Sequence, residues 1–261
     1  MGESDQVKEN IVKVCIAIPN NGYTQPESYE NRLLNFLYLG GLQERGRYEK
    51  HNPRFEFYFV VEGRLFTPLA REEAARFALE GNMDYLFFID DDMISPNNLF
   101  EMLYRHNVDI CGALAFTRNP PHKPVIYSCI EGWDAVKKQD YFVNHYVWNY
   151  PKDKLVECDA MGFGSVLIKM DVFRKMPRPW FALCSNTGED ILFCYNAKKY
   201  GFRVFVDTSA KIGHLGNPIN VTEEYAMKWW KNNGLEIEKS NSLYKKYDAK
   251  NLDPLEAVYS K

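Results

Sequence analysis

The sequence lacks most of the signals that assign a chain quickly. Its six cysteines (Cys15, Cys111, Cys129, Cys158, Cys184, Cys194) form no Cys-x-x-Cys pair, which argues against a zinc frame. Several sit inside apolar runs such as Val14-Cys15-Ile16 and Ile110-Cys111-Gly112; these read as buried free thiols in a reducing compartment, not a disulfide frame. There is no basic block. The 32 Lys and Arg against 35 Asp and Glu leave a net charge of −3, so bulk charge draws the chain to neither nucleic acid nor membrane. No apolar run approaches the roughly 20 residues of a membrane span, and the polar stretch from Met1 to Asn10 has no apolar signal core. A cytoplasmic protein is therefore expected, with the sequon Asn220-Val221-Thr222 incidental. No Gly-x-Gly-x-x-Gly follows the first apolar run and no Gly-x-x-x-x-Gly-Lys-Ser/Thr occurs, which weakens dinucleotide and P-loop readings. Internal repeats and low-complexity runs are also missing.

What is present is a chain of 261 residues, 46% hydrophobic and 15% aromatic, enough for one large domain with a sizeable core. Its centre is Tyr85-Leu86-Phe87-Phe88-Ile89-Asp90-Asp91-Asp92-Met93-Ile94-Ser95-Pro96. The unbroken apolar run predicts a strand covered on both faces, as in the middle of a parallel sheet. Ser95 as cap and Pro96 at the first position predict a helix from Asn97 to His106. The acids then stand at the carboxyl end of a central strand, where open α/β sheets place their ligands. Adjacent carboxylates repel one another unless water or a cation answers them. Mg²⁺ or Mn²⁺ suits oxygen ligands, whereas a merely solvated acidic turn is the plainer alternative.

Around this centre the pattern alternates. Strands are predicted at Ile11 to Ile18, Phe55 to Val61, Tyr85 to Ile89 and Val108 to Leu114. Helices are predicted at Ser28 to Gln43, with Leu33, Leu34, Phe36 and Leu37 facing inward, and from Thr67-Pro68 to about Gly81. This alternation implies a mostly parallel, Rossmann-like sheet. It breaks after Leu114. Phe116 to Tyr150 reads as loops and short antiparallel strands, and Leu155 to Met161 and Phe163 to Met170 as two β runs joined at Gly162-Phe163-Gly164. Trp180 to Asn186 reads as a loop, Glu189 to Tyr200 as a helix closed by Gly201, and Arg203 to Asp207 as a last strand before Ile212-Gly213-His214-Leu215-Gly216. A further helix, Glu223 to Asn232, carries an exposed-looking Trp229-Trp230.

Two constellations join the acids. Glu189 and Asp190 open a helix, where carboxylates serve either as dipole partners or as a general base facing a cleft. His214 lies between glycines; a lone His is usually a satisfied polar residue, yet imidazole is also a good Mn²⁺ partner for carboxylates.

In order, Ile16-Ala17-Ile18-Pro19-Asn20, Arg71 with Ala74-Ala75, the acid triplet with Met93, Gly162-Phe163-Gly164, Glu189-Asp190 and His214 resemble the GT-A-type nucleotide-sugar glycosyltransferases. They are most similar to small relatives of the large inverting family that includes cellulose and hyaluronan synthases. The resemblance spans Val12 to Gly216 and lacks the Gln-x-x-Arg-Trp signature and membrane spans of processive synthases. It implies an α/β GT-A fold with a mostly parallel central sheet flanked by helices and a smaller antiparallel acceptor-side part. The expected domain covers 1–218, with a nucleotide-binding half (11–115), an acceptor half (116–218) and a helical tail (219–261). It implies Mn²⁺ or Mg²⁺ held by Asp92, Asp90 and His214, and a UDP- or GDP-sugar donor met by Pro19, Asn20, Arg71, Asp90, Asp91, Gly162 and Gly164. Asp190 would act as base, with Glu189 orienting it or binding acceptor. Arg71 could equally be a surface charge beside Glu72 and Glu73, Gly162 and Gly164 could serve a tight hairpin, and Trp180 and Phe181 could be core instead of a sugar platform.

Other readings share some features. Retaining enzymes of the mannosylglycerate synthase type also pair Asp-x-Asp with a late histidine. A sugar-nucleotide nucleotidyltransferase would want a basic loop after the first strand, which Pro19-Asn20-Asn21-Gly22 is not. A non-catalytic nucleotide- or carbohydrate-binding module leaves the acids without a task. Nucleic acid enters only as an acceptor, and only if Lys198, Lys199, Arg203, Lys228 and Lys231 cluster. Trp229-Trp230 could instead mark a membrane-surface or oligomer contact.

Overall fold

The computed structural model describes residues 10–20, 22, 24–48, 53–63, 65–134, 139–182, 187–216 and 219–235, with backbone alone at 130–134 and 139–142. Cys184, Asn21, Ser185, Asn186 and the expected tail beyond 235 lie outside the described residues. In chain order the elements are β1 (Ile11–Asn20), α1 (Pro26–Tyr48), β2 (Arg54–Gly63), α2 (Thr67–Glu80), β3 (Tyr85–Ile89), β4 (Met93–Ile94), α3 (Leu99–Tyr104) and β5 (Ile110–Leu114). There follow β6 (Ile126–Asp134), β7 (Gln139–Tyr146), β8 (Leu155–Cys158), β9 (Ala160–Met161), β10 (Ser165–Lys169) and α4 (Met170–Lys175). The last are α5 (Glu189–Lys199), β11 (Val204–Lys211), β12 (Gly213–Leu215), β13 (Asn220–Val221) and α6 (Glu223–Asn232).

Seven strands form the central sheet in the order β2-β1-β3-β10-β5-β11-β8. Strands β2, β1, β3, β5 and β11 run one way; β10, inserted between β3 and β5, and the edge strand β8 run the other way. The expected α/β architecture is thus present, including a smaller antiparallel part: β7-β6-β9 form one three-stranded sheet and β13-β12-β4 another. The apolar run Tyr85–Ile89 is β3 itself, and Leu86 to Ile89 are buried between helices on both faces.

On one face α2 lies close to the sheet because its inner stripe is small, with Ala70, Ala74, Ala75 and Ala78 almost inaccessible. On this side α4, α5 and α6 add the aromatic core of Phe173, Phe193 and Trp230. On the other face Leu99, Phe100 and Leu103 of α3 pack with Leu39 of α1. Phe100 meets Phe55, Phe57 and Tyr104 at ring separations of 5.1 to 5.5 Å. No helix among the described residues is long and apolar enough to cross a membrane. Among the described residues the five cysteines form no disulfide, and four of them are buried.

Five expectations are corrected or resolved. Leu33, Leu34 and Leu37 face outward, 49%, 54% and 66% exposed, while the buried side of α1 is Ser28, Arg32, Asn35 and Leu39. The reason is hydrogen bonding: the acid turn beneath α1 presents backbone groups that only polar side chains can satisfy. Ser95 does not cap α3, which begins at Leu99 with Asn98 before it; its hydroxyl is engaged by Asn35, 2.9 Å away. The segment Gly162-Phe163-Gly164 is not a hairpin but the passage from β9 in a small sheet to β10 in the large one. Trp180 and Phe181 are buried against Phe173 and Phe193, which resolves them as core. The pair Trp229-Trp230 is not an exposed patch, since Trp230 is buried with its indole N–H on the Pro121 carbonyl.

Phe100→Ala should lower the unfolding free energy by about 3 to 5 kcal/mol, with the urea midpoint shifted and the slope unchanged. A loss under ~1 kcal/mol would show that the aromatic cluster on this face is not close-packed.

Candidate active site

The acid turn leaves the carboxyl end of β3 and is gripped from three sides. The Asp90 N–H donates to the Gly164 carbonyl (2.9 Å). From α1, the Ser28 hydroxyl donates to the Asp91 carbonyl (2.6 Å), and Asn31 both donates to the Ser95 carbonyl and accepts from its N–H (2.9 Å each). From the far side, β12 pairs with β4, setting His214 opposite Met93, and the Leu215 N–H donates to the Asp92 carbonyl (2.8 Å). A side chain at Gly164 would meet the Met93 methyl at 2.7 Å, and one at Gly162 would meet Val125 at 3.1 Å. A Cβ at either position would require its neighbour to shift, a small adjustment for the flexible end of Met93.

The turn's outer carboxylates are placed in unlike settings. Both Asp90 oxygens take the Arg71 guanidinium, at 2.8 and 3.0 Å, and the same guanidinium reaches Glu189 (3.3 Å). Arg71 is thus a buried bridge and not a surface charge; its plane lies over Phe88 and Phe163, 5.2 and 5.5 Å from the ring centroids. One of its terminal nitrogens, Nη1, is buried with no partner among the described residues. Burial, with the charges of Asp92 and Glu189, pushes Asp90 up to about 7 against the pull of Arg71.

Asp92 stands in the opposite condition. Burial works to raise it, but the hydrogen bond and charge of His214, with the charge of Arg118, hold it below the usual carboxylate range. Arg118 reaches its Oδ2 at 2.6 Å, and His214 Nε2 lies 3.2 Å from the same atom. The Nδ1–H of His214 donates to the Phe116 carbonyl (2.9 Å), which turns Nε2 to Asp92, carrying a proton when the ring is charged and a lone pair when it is neutral. Two acceptors that close are stabilised only by a proton or a metal ion shared between them.

This donor pair fits a divalent ion. Cis ligands at about 2.1 Å from an octahedral Mg²⁺ lie about 3 Å apart, and a ligating His commonly donates its other N–H to a carbonyl. The expected third ligand does not join them. Asp90 is turned to Arg71, and among the described residues no group of three or more His, Cys, Asp or Glu is set to hold a metal. Of the three expected ligands the structure brings Asp92 and His214 together and leaves Asp90 apart.

Across from the turn, Glu189 and Asp190 open α5 after Gly188. No side chain caps this helix; Asp190 Oδ1 instead accepts from its neighbour's N–H at Ile191 (2.8 Å). Burial first, then the charge of Glu189, pushes Asp190 up to about 6, while Arg71 and the Ile191 and Phe163 N–H groups pull the other way. The Gly162-Phe163-Gly164 passage therefore serves both acidic centres, Phe163 towards Asp190 and Gly164 towards Asp90. Pro19 and Asn20 close β1, and the Asn20 side chain is engaged with Thr24 (2.9 Å) and the Gly22 N–H. Asp91 points its carbonyl at α1.

Five contributors escaped the sequence reading. Arg118 follows β5 at its carboxyl end, a position that strand-end logic could have flagged. Ser28, Asn31 and Asn35 look like ordinary helix polars, and Glu72 looks like a surface acid. Glu72 is in fact buried, accepting from the Trp180 and Phe181 N–H groups (2.8 and 3.1 Å) and from Arg178. Of the basic residues considered for a nucleic-acid groove, Lys198 and Arg203 are answered by Asp159 and Glu157.

No family model matches the chain, and no curated protein matches it. Among solved structures it is similar to A197 from STIV (TM-score 0.53, 18% identity, covering 82% of this chain and 92% of that one). It is also similar to GalNAc-T7 with UDP, GalNAc and Mn²⁺ (0.43, 13%, 80% of this chain and 44% of that one). A third is the catalytic domain of Drosophila beta1,4galactosyltransferase 7 in complex with xylobiose (0.42, 14%, 79% and 71%). At such identities the likeness to A197 is one of fold.

The Asp190 carboxyl titrates near 6 in the fold against 3.8 ordinarily. A raised carboxyl contributes stability that is full below about pH 4 and lost as pH rises through about 6. Asp190→Asn should remove that loss, so its melting temperature, measured in EDTA, should gain on the wild type from pH 4 to pH 7. A gap constant with pH would contradict the raised titration.

Proposed function

We propose that the chain is a metal-dependent glycosyltransferase that moves a sugar from a nucleoside-diphosphate donor to an acceptor hydroxyl, with inversion and with Asp190 as general base. The observation that carries the reading is the convergence of Asp92 Oδ2 and His214 Nε2, with Nδ1 anchored on a backbone carbonyl. An ion bound there supplies Lewis-acid neutralisation of the departing diphosphate. Because Mg²⁺ and Mn²⁺ sites often take one or two protein ligands and complete their shell with phosphate oxygens, two side chains suffice.

The chain's own residues then divide the work. Arg118, beside Asp92, would offer its guanidinium to a phosphate oxygen of the donor. Asp90, held by Arg71, is kept out of the metal shell and faces the donor's ribose, with Pro19, Asn20 and Asp91 lining the approach. The backbone of Gly162 and Gly164 carries the wall between donor and base. As the acceptor oxygen attacks the anomeric carbon and the bond to phosphate breaks, the acceptor's proton passes to Asp190. A carboxylate with a pKa raised to about 6 is a stronger base than an ordinary one and is still ionised at neutral pH. Glu189, tied to Arg71, orients its neighbour and keeps it apart from Asp90.

The test is donor hydrolysis and transfer across UDP-, GDP- and dTDP-sugars, with Mn²⁺ and with EDTA. Asp92→Ala should abolish Mn²⁺-dependent turnover and nucleotide binding together. Asp190→Asn should cut transfer by ~10²- to 10⁴-fold while nucleotide affinity stays within a factor of two. The wild-type rate should climb with pH through about 6 and then level. Turnover that survives EDTA, or equal loss of binding and rate in Asp190→Asn, would sink this reading.

A further inference from the structure

Beside the Asp92–Arg118 pair lies a cavity of about 200 Å³ between the 118–122 loop and α6. Its apolar wall is Tyr225 and Trp229, which stand four residues apart and so share one face of α6. Its polar rim is Arg118 and Asn119. We infer that this cavity is a saccharide subsite, taking one pyranose ring of the acceptor; the acceptor assignment rests on the transferase reading above.

The wall is built and fixed. His122, buried at the back, makes T-shaped contacts with both rings, at 5.3 and 5.5 Å. Such a contact uses at most one face of each ring. The neighbouring Trp230 is anchored on Pro121 and packs on Phe116, and the Thr222 hydroxyl caps α6 through the Tyr225 N–H (3.1 Å). Aromatic faces beside a guanidinium and an amide match a pyranose, which has apolar C–H faces and a rim of hydroxyls. The volume is below the ~300 Å³ at which pockets for larger small molecules begin, so one ring suits it better than a nucleoside diphosphate.

Position favours the acceptor over the donor base. In the sheet order β1 lies on one side of β3, while β5, which leads into Arg118, lies on the other. A donor whose base sits at the end of β1 and whose phosphates reach Asp92 would direct its sugar end towards the Arg118 side. Gly216 completes the junction: a side chain there would meet the Ile219 carbonyl at 2.9 Å and the Arg118 stem at 3.2 Å. The cavity and the proposed metal pair thus share Arg118 as a common wall.

Saturation-transfer NMR with a panel of methyl hexosides and methyl N-acetylhexosaminides should detect binding of at least one of them to the full chain. Its affinity should fall at least tenfold in Trp229→Ala and in Asn119→Ala, and stay within threefold in Trp229→Phe. UDP affinity in Mn²⁺ should be unchanged in all three. If Trp229→Ala fails to fold, by its thermal melt, the other two variants carry the comparison. A wild type that binds UDP with Mn²⁺ but no glycoside overturns the subsite and leaves the transferase reading standing. Glycoside binding indifferent to Trp229→Phe, Trp229→Ala and Asn119→Ala also overturns it, as does loss of UDP in place of glycoside. Glycoside binding without any UDP binding would overturn the acceptor assignment and the transferase reading, leaving a carbohydrate-binding module.

Discussion

A single buried guanidinium holds the two acidic centres in relation. Arg71 sits almost without solvent contact between Asp90 and Glu189, which belong to elements about a hundred residues apart in the chain. Buried ion pairs contribute little net stability, because desolvation offsets most of the attraction, yet removing one partner costs about 3 to 5 kcal/mol. What such a bridge contributes is geometry. It draws the amino end of α5 to the carboxyl end of β3, and the surrounding packing follows: the alanine stripe that lets α2 lie close, the Phe88 and Phe163 rings under the guanidinium, and Glu72 tying the chain before α5 to the same helix.

The same economy explains the inverted helix α1. A turn carrying three consecutive carboxylates cannot be buried under leucines, since its peptide groups would lose water without replacement. Helix α1 therefore turns Ser28, Asn31 and Asn35 inward and leaves Leu33, Leu34 and Leu37 outside. Helical periodicity alone would put the leucines in the core, and that inference fails because it counts apolar residues without asking what the opposing surface requires. The polarity of a helix's inner face is set by its partner.

How much could be read in advance follows from the range over which each feature is specified. The strand Tyr85–Ile89, the acids after it and the helix from Glu189 closed by Gly201 are encoded locally, by runs and punctuation, and the structure has them where the sequence places them. The junction of Asp92 with His214 is not local. It depends on β12 and β4, strands of three and two residues, too short to leave a periodic trace. Arg118 pairs across 26 residues with Asp92, and β10 enters the sheet antiparallel between two parallel strands. Such insertions are tertiary decisions, fixed by burial of both faces of Val166 to Ile168 and not by any residue pattern within them.

The carboxylates themselves show how one fold can assign different work to one residue type. Asp92, answered by an imidazole and a guanidinium, is held ionised and so is suited to a cation. Asp190, buried beside another acid and only partly relieved by Arg71, holds its proton to a pH two units above the ordinary value. Environments that push like groups apart are the usual mark of divided acid–base roles. Arg71 lies on Asp90 and Glu189, yet Asp90 is pushed up to about 7, so burial and neighbouring acids outweigh its pull there as they do at Asp190. Burial therefore decides which carboxylates hold their protons, and the His214 and Arg118 partners of Asp92 decide which one stays ionised.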